Sequence, residues 1–346
     1  MKRIFLISLI LCSFLTISYQ PSINAQSHNT KTVNYSTNIN LFPIKQDNKW
    51  GYIDKTGKVA IAAEFDQASF FSQGLAFVRK NNSIEVINSN AETQFYLPDN
   101  TSYYGAFSED LAVVAINGKY GFINKNGEMV IKPQFDQAKS FSEGLAAVKL
   151  GSYYGFIDKT GKTVINPQFF SVTSFSENLA AVRFKQSDLH PAFIDKAGNV
   201  FFYLPNENTG NFLKTAITDV TSQDLGYEKS SYSLSSFKAS VTFENQAFSE
   251  DLISVKINNK DGYINKAGEI VIAPMFDFAD AFSEGLARVS IKGKCAYIDS
   301  LGTVIIKTPF NYYSCSEFTN NLAQVQTQGS IGYLDRSGQF LWPLTK

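Results

Sequence analysis

A short fragment of the form aromatic-Ser-Glu-Gly-Leu-Ala recurs along this chain and is clearest at residues 141–146. A fixed period of about 20 to 50 residues is typical of repeat architectures, so this recurrence constrains the fold more than any other feature. Residues present in every copy are expected to build the unit rather than to perform chemistry. Related copies begin at Phe71, Phe107, Phe175, Phe248, Phe282 and Phe318.

A second fragment, Gly-aromatic-Ile-Asp at residues 155–158, measures the period. Its Ile or Leu recurs at Ile53, Ile87, Ile123, Ile157, Ile194, Ile264, Ile298 and Leu334, so most spacings are 34 to 37 residues. The interval from Ile194 to Ile264 is 70 residues, or two periods, and the pair 226–227 supplies the Gly-aromatic signal of a worn unit. We therefore predict about nine units across residues 40–346, with degenerate units around 84–106 and 206–246.

The signals inside one unit are those of short β-strands. Residues 145–149, 154–158 and 163–165 are apolar, aromatic or β-branched, and turns at 151–152 and 158–161 separate them. Loops this short can join only antiparallel neighbours, which predicts a meander of three to four strands per unit. No segment after residue 25 has a helical hydrophobic period, so the predicted fold class is all-β.

Neighbouring units are expected to stack, because one unit of about 35 residues cannot bury enough apolar surface alone. Strand 145–149 is apolar on both faces, as stacking requires. Nine units exceed the usual four to eight propeller blades, and no split unit is left to close a ring. We therefore predict an open, curved or superhelical array, with a closed propeller-like toroid as the alternative.

The first 25 residues have the pattern of a secretory signal peptide. Lys2 and Arg3 precede an apolar run at 4–17, and small residues lead to a cleavage site after Ala25. Residues 26–39 are predicted to be a flexible segment before the repeat domain. The sequence thus favours an exported protein, periplasmic or extracellular, without a transmembrane segment after leader cleavage.

Two cysteines, Cys295 and Cys315, follow the leader and occupy one repeat. An oxidising compartment permits a disulfide between them. The alternative is two buried thiols that pack as small apolar groups, and the sequence slightly favours that alternative.

Composition excludes several function classes. The chain has 31 basic and 31 acidic side chains, which argues against a nucleic-acid binder. His28 and His190 are the only histidines, and the sequence has neither a zinc-spaced His/Cys cluster nor a glycine-rich phosphate loop. We therefore expect no cofactor, no metal and no catalytic residues.

One repeated carboxylate set offers a tentative surface-binding site. By symmetry these glutamates should line one edge of the array, either as a solvated rim or as weak sites for cations or sugar hydroxyls. A repeated ladder favours no particular acid pair for glycoside cleavage, so an enzyme is not expected. The set is Glu109, Glu143, Glu177, Glu250 and Glu284.

Three tyrosine pairs, at 103–104, 153–154 and 312–313, provide aromatic side chains that could reach solvent. Neighbours in a strand point to opposite faces, so one member of each pair is a candidate platform for a sugar ring or a peptide. Core packing of both members is the alternative.

The segment at residues 49–57, Lys-Trp-Gly-Tyr-Ile-Asp-Lys-Thr-Gly, resembles the signature of the bacterial WG repeat, as do residues 135–138 and 141–146. Only Trp50 keeps the naming tryptophan. The resemblance implies a β-rich repeat that is often exported, and it implies no settled activity. Elsewhere the tryptophan position holds Tyr120, Tyr154, Asp261, Cys295 and Ile331, and Pro191 interrupts one copy.

The sequence as a whole predicts an exported, non-catalytic repeat protein. Its extended surface would bind a protein partner or a cell-envelope polymer such as a polysaccharide. The alternative is a carbohydrate-binding or weakly hydrolytic propeller-like protein that uses residues found in a single copy.

Overall fold

The computed structural model describes residues 40–187, 191–203, 239–240, 247–257 and 259–345. Nearly all regular structure in these ranges is β-strand, so the all-β prediction is confirmed. The predicted signal peptide, the segment 26–39 and both histidines lie outside the described residues, as does most of the degenerate unit at 206–246.

Eight small antiparallel sheets, called blades 1 to 8 in chain order, make up the repeat domain. Blade 1 contains β1 (Phe42–Gln46), β2 (Lys49–Ile53) and β3 (Val59–Phe65). Blade 2 contains β4 (Gln67–Ala68), β5 (Leu75–Lys80), β6 (Ser83–Asn88) and β7 (Thr93–Tyr96). Blade 3 contains β8 (Thr101–Tyr104), β9 (Leu111–Ile116), β10 (Lys119–Asn124) and β11 (Met129–Phe135). Blade 4 contains β12 (Gln137–Ala138), β13 (Ala146–Leu150), β14 (Tyr153–Ile157) and β15 (Thr163–Phe169).

The second half of the chain repeats this plan. Blade 5 contains β16 (Ser171–Val172), β17 (Ala180–Arg183), β18 (Ala192–Ile194) and β19 (Val200–Tyr203). Blade 6 contains β20 (Ala239–Ser240), β21 (Leu252–Ile257), β22 (Lys260–Asn265) and β23 (Ile270–Phe276). Blade 7 contains β24 (Phe278–Ser283), β25 (Leu286–Ile291), β26 (Lys294–Ile298) and β27 (Val304–Asn311). A 3-10 turn at Tyr312–Ser314 leads into blade 8, which contains β28 (Cys315–Thr319), β29 (Leu322–Thr327), β30 (Ser330–Leu334) and β31 (Phe340–Thr345).

Blade 1 packs directly on blade 8, so the array closes into an eight-bladed β-propeller. The ring centroids of Phe42 and Tyr333 lie 5.3 Å apart, and the Tyr333 hydroxyl donates a 2.7 Å hydrogen bond to the Pro43 carbonyl. The prediction of an open array is wrong, and the alternative of a closed toroid is right. Strands β1 to β3 form one sheet and strands β28 to β31 form another, so face-to-face packing closes the ring without a shared sheet.

The predicted count of nine units is also wrong for the ring. The Ser176 hydroxyl in the turn of blade 5 donates to the Phe248 carbonyl at the start of blade 6, just as Ser142 of blade 4 donates to Phe175 of blade 5. Among the described residues, no sheet lies between blades 5 and 6. The 70-residue interval therefore contributes no described blade of its own. The degenerate unit around 84–106, in contrast, supplies ordinary strands of blades 2 and 3.

The glycine of the Gly-aromatic pair is required by a bulge in the last strand of each regular blade. In blade 1, Tyr52 pairs with Ile61 but Trp50 pairs with Phe65, so β3 bulges opposite Gly51. A Cβ at Gly51 would lie only 2.5 Å from the Ile61 carbonyl oxygen. Any larger residue would therefore clash with the backbone of β3 and force it to move. Gly121, Gly155 and Gly262 face the same constraint.

Candidate functional site

The five predicted glutamates each bond a backbone N–H of the following blade. Each sits in a tight turn with positive φ, and each accepts a hydrogen bond from the equivalent turn of the next blade, 35 or 36 positions later in four cases and 74 positions later for Glu177. The donors are the N–H groups of Gly144 to Glu109 (3.0 Å), Asn178 to Glu143 (2.9 Å), Asp251 to Glu177 (2.9 Å), Gly285 to Glu250 (2.8 Å) and Asn320 to Glu284 (2.6 Å). These carboxylates therefore tie neighbouring blades together, and a surface-binding role for them stays a prediction.

The serine of the same fragment makes a second tie between blades. Its hydroxyl donates to the backbone carbonyl of the phenylalanine that opens the next copy, for example from Ser108 to Phe141 at 2.7 Å. Equivalent bonds join Ser72 to Phe107, Ser142 to Phe175, Ser176 to Phe248, Ser249 to Phe282 and Ser283 to Phe318. We call the interface between two consecutive blades a seam. The aromatic-Ser-Glu fragment is thus a latch at the six seams from blades 2 and 3 to blades 7 and 8.

The seam between blades 7 and 8 departs from this regular plan. Cys295 in β26 and Cys315 at the start of β28 form a disulfide with a Cα–Cα distance of 6.5 Å, so the alternative of two free thiols does not describe this structure. The 3-10 turn Tyr312–Ser314 lies between the bonded cysteines in sequence. Both cysteines are buried, and Cys295 fills the position of the repeat tryptophan.

Arg288 in β25 forms an ion pair with Asp280 at this seam. The other blades place an uncharged residue at its position, such as Ala147 in β13 or Phe77 in β5. Its Nε donates to Asp280 Oδ2 at 2.5 Å, and its Nη1 donates to the backbone carbonyls of Tyr312 and Cys315. The guanidinium carbon also lies 4.4 Å from the centroid of the Tyr312 ring. Arg288 therefore holds the turn in place through charge-assisted hydrogen bonds to its backbone carbonyl groups.

Three aromatic rings lie at the same seam as this ion pair. Phe278 and Tyr312 stack with centroids 5.4 Å apart at an interplanar angle of 18°, and Tyr313 lies 5.8 Å from Phe278. Tyr312 is 6% exposed, whereas Phe278 is 42% and Tyr313 is 78% exposed. We call Phe278, Asp280, Arg288, Tyr312 and Tyr313 the seam cluster. Two of its rings offer free surface and the third anchors them.

Ionic groups beside the seam cluster are paired within the chain. Lys256 Nζ lies 5.3 Å from the centroid of Phe278 and 2.8 Å from Asp261 Oδ1. Asp261 is 6% exposed at the repeat tryptophan position, and it accepts a 2.9 Å hydrogen bond from the N–H of Ala279. Burial raises the pKa of the Asp261 carboxyl, and the Lys256 ammonium partly opposes that shift.

Glu317 in β28 adds a carboxylate near Asp280 and Arg288. Solvent reaches the side chain, yet its crowded surroundings desolvate the carboxyl and raise its pKa; Asp280 adds to the shift and Arg288 opposes it. Within the part of the chain that the structure describes, this carboxylate makes no hydrogen bond or ion pair. Glu317 is therefore an available hydrogen-bond acceptor at this seam.

The predicted tyrosine pairs have different outcomes. Tyr103 and Tyr153 are about half exposed on regular blades, and Tyr103 packs its ring 5.5 Å from that of Tyr120. Only the pair Tyr312–Tyr313 lies beside the ion pair of Arg288 and Asp280. Arg288, Asp280 and Glu317 were not predicted from the sequence. Aligning the copies column by column shows Arg288 as the one charged residue in a column that otherwise holds Pro43, Phe77, Val113, Ala147, Ala181, Ser254 and Gln324.

The described residues hold neither a metal-ligand group nor a membrane-spanning helix. They contain no group of three or more His, Cys, Asp or Glu side chains placed to hold a metal ion. No helix in the described ranges is long and apolar enough to cross a membrane.

The fold and the seams together define a β-propeller built from short Gly-aromatic repeats. A family model for the WG containing repeat matches residues 50–83, 102–120, 120–154, 154–186, 262–295 and 296–329, which is more than half of the chain. The protein belongs to the WG-repeat family. No curated protein matches it.

Solved structures resemble the chain in fold alone. A eukaryotic initiation factor aligns with 90% of this chain and 98% of its own, with 12% identity and a TM-score of 0.53. PorZ, a surface component of the type-IX secretion system of Porphyromonas gingivalis, aligns with 82% of this chain and 38% of its own, with 9% identity and a TM-score of 0.44. The extracellular domain of BT4673 from B. thetaiotaomicron aligns with 86% of this chain and 43% of its own, with 11% identity and a TM-score of 0.44.

Proposed function

We propose that this protein is an exported, non-catalytic propeller that binds a protein partner or a cell-envelope polymer. The observation that carries the proposal is the seam cluster, where two exposed rings lie at one seam of the ring together with the partly buried ion pair of Arg288 and Asp280. Exposed aromatic side chains held in place by their neighbours are the usual anchors of binding surfaces. The sequence already favoured a surface-binding role, and the cluster gives that role a location.

The repeated residues favour one binding locus over a ligand spread around the ring. The glutamates and serines of the latch accept and donate hydrogen bonds between blades, so their polar groups are already engaged. Repeat arrays bind through the positions that vary between copies, because shared positions maintain the stack. Arg288, Tyr312 and Tyr313 are such variable positions.

A non-catalytic role fits the carboxylates of the seam. Glycoside hydrolysis needs two carboxyl groups that flank one bond, one of them free to act as nucleophile or base. Asp280 is already bonded to Arg288 and to the Tyr312 hydroxyl. Glu317 therefore has no second free carboxylate beside it at this seam to complete a catalytic pair. Weak hydrolysis is the alternative function, and the raised pKa of Glu317 is the observation in its favour.

An affinity experiment with envelope extract tests the proposal. The mature protein would be immobilised and its retained material compared with that of a Phe278→Ala/Tyr313→Ala variant. Tyr153→Ala is the matched control, because Tyr153 is 47% exposed on a regular blade. We expect the wild type and the control to retain the same component and the double variant to lose it.

Two outcomes would contradict the proposal. Retention that is equal in all three proteins would place binding elsewhere on the ring. Turnover of a retained polymer, abolished by Glu317→Gln alone, would establish the hydrolytic alternative.

A further inference from the structure

We infer that the seam cluster binds a neutral carbohydrate chain, with sugar rings packed on Tyr313 and Phe278 and a sugar hydroxyl donating to Glu317. This inference rests on the proposed binding function and narrows its ligand to one chemical class. Four properties of the seam carry it: the form of the aromatic surface, its charge, its free acceptor and its rigidity.

The aromatic surface has the size of a sugar ring rather than of a protein interface. The exposed parts of Tyr313 and Phe278 amount to roughly 250 Å², given about 150 to 250 Å² for a whole aromatic side chain. A stable protein interface buries about 800 Å² on each partner, so these rings alone would fill only a fraction of one. Aromatic faces carry partial negative charge, which suits the C–H face of a pyranose.

The cations around the rings are each paired with a carboxylate, and the Glu317 carboxylate is the one acidic group of the seam without such a partner among the described residues. Lys256 is 2.8 Å from Asp261, and Arg288 donates to Asp280 at 2.5 Å. Lys260 likewise lies 2.5 Å from Asp277, at the beginning of blade 7. An anionic polymer or a charged peptide would have to compete with these internal partners, so electrostatic complementarity favours an uncharged ligand.

The available acceptor is the carboxylate of Glu317. Sugar hydroxyls donate hydrogen bonds, and a bond to an ionised acceptor is stronger than one to a neutral acceptor. Glu317 follows the turn that carries Tyr312 and Tyr313 by a few residues, on the strand whose first residue is Cys315. A stacking surface with a few polar groups is the usual composition of small-ligand sites.

The turn is held before any ligand arrives. The disulfide anchors its C-terminal side to β26, and Arg288 donates to the carbonyl groups at both of its ends, Tyr312 and Cys315. A rigid platform loses little conformational entropy on binding, which matters for ligands that make few contacts. The disulfide is therefore expected to support affinity as well as stability.

A titration panel tests the inference. Isothermal titration would compare neutral hexasaccharides (cellohexaose, maltohexaose and a mannan hexamer) with hexagalacturonate as the charged probe. We expect a neutral oligosaccharide to bind, with affinity at least tenfold weaker in Tyr313→Ala and in Glu317→Gln. Tyr313→Phe and Tyr153→Ala should keep affinity within about twofold, because the first retains the ring and the second lies on a regular blade.

The outcomes separate this inference from the proposed function. An envelope protein retained through the seam cluster, with no neutral oligosaccharide bound, would overturn the carbohydrate inference and leave the binding function standing. Binding of hexagalacturonate alone would overturn it too. Binding of a neutral probe that Tyr313→Ala leaves unchanged would remove the cluster as the site.

Discussion

The seam between blades 3 and 4 and the seam between blades 7 and 8 have the same latch but differ in their other contacts. Both have the serine bond, 2.7 Å from Ser108 to Phe141 and 2.7 Å from Ser283 to Phe318. Both also have the glutamate bond. Only the second adds a disulfide, a 3-10 turn and a partly buried arginine. Because the regular seam packs without these additions, they are not needed to close the ring, and supporting the exposed rings explains them.

The largest difference should come from removing the disulfide. It closes a loop of 20 residues, so Cys295→Ala/Cys315→Ala is expected to lower the free energy of unfolding by about 3 kcal/mol. Urea unfolding followed by circular dichroism measures the change, and reduction of the wild type with dithiothreitol in mild urea should reproduce it. A loss below about 1 kcal/mol in both experiments would show that the disulfide contributes little to this seam.

Replacing the arginine should have the next largest effect. Arg288→Ala leaves Asp280 without its cation and removes the donors to two carbonyl groups, which should cost about 2 kcal/mol. Arg79→Ala is the control, because Arg79 is a partly buried arginine on a regular blade. If the two variants lose equal stability, Arg288 has no special role at its seam.

The latch itself should contribute less per residue but equally at each seam. Ser142→Ala removes a 2.6 Å hydrogen bond to the Phe175 carbonyl, and we expect a loss of about 1 kcal/mol. Ser283→Ala at the irregular seam should lose a similar amount, since the latch is the shared part. Unequal losses in parallel unfolding experiments would contradict the view of one latch used throughout.

The smallest effect concerns the turn at the end of each blade's third strand. Asp158 Oδ1 accepts from the N–H groups of Thr160 and Lys162, and the Thr160 hydroxyl bond is the main cause that lowers its pKa. This contribution to stability is present above the unfolded pKa and is lost as pH falls through the lower folded pKa. Asn124 makes the equivalent turn in blade 3 with an amide in place of the carboxylate, and its Nδ2 donates to Glu128 Oε2 at 2.7 Å.

The variant Asp158→Asn should therefore be slightly less stable than the wild type at pH 7 and lose less on acidification below about pH 4. The reciprocal control is Asn124→Asp/Glu128→Lys, which copies the pair Asp158 and Lys162 and avoids placing two carboxylates together, and it should become more sensitive to acid. Thermal unfolding at pH 7 and at pH 2.5 checks both variants, and identical acid sensitivity in all three proteins would contradict the assignment.

Most of the fold was predictable because each blade is a local structure. Tight turns such as 158–161 permit only antiparallel neighbours, so the meander follows from one copy. Ring closure was not predictable, because it depends on the angle accumulated over all seams and on the contact between Phe42 and Tyr333, 291 positions apart. The count differs at the 70-residue interval, where the described residues contain no blade between blades 5 and 6 and the pair 226–227 lies outside the described residues.

The site was predictable only in part. The adjacent pair Tyr312–Tyr313 was visible in the sequence, and so were the two cysteines. Their assembly over Arg288 was not, because Asp280 and Arg288 belong to blade 7 and the turn leads into blade 8. The glutamates show the converse: a repeated, polar side chain that looked like a rim is bonded to the next blade, and only coordinates show its partner.

Hydrogen–deuterium exchange of the mature protein, with and without the retained envelope component, tests most directly whether the irregular seam is where this propeller binds. Protection confined to peptides that contain residues 278–288 and 312–318 is the predicted result. Protection distributed over the glutamate turns of all blades, or concentrated on blades 3 and 4, would contradict it.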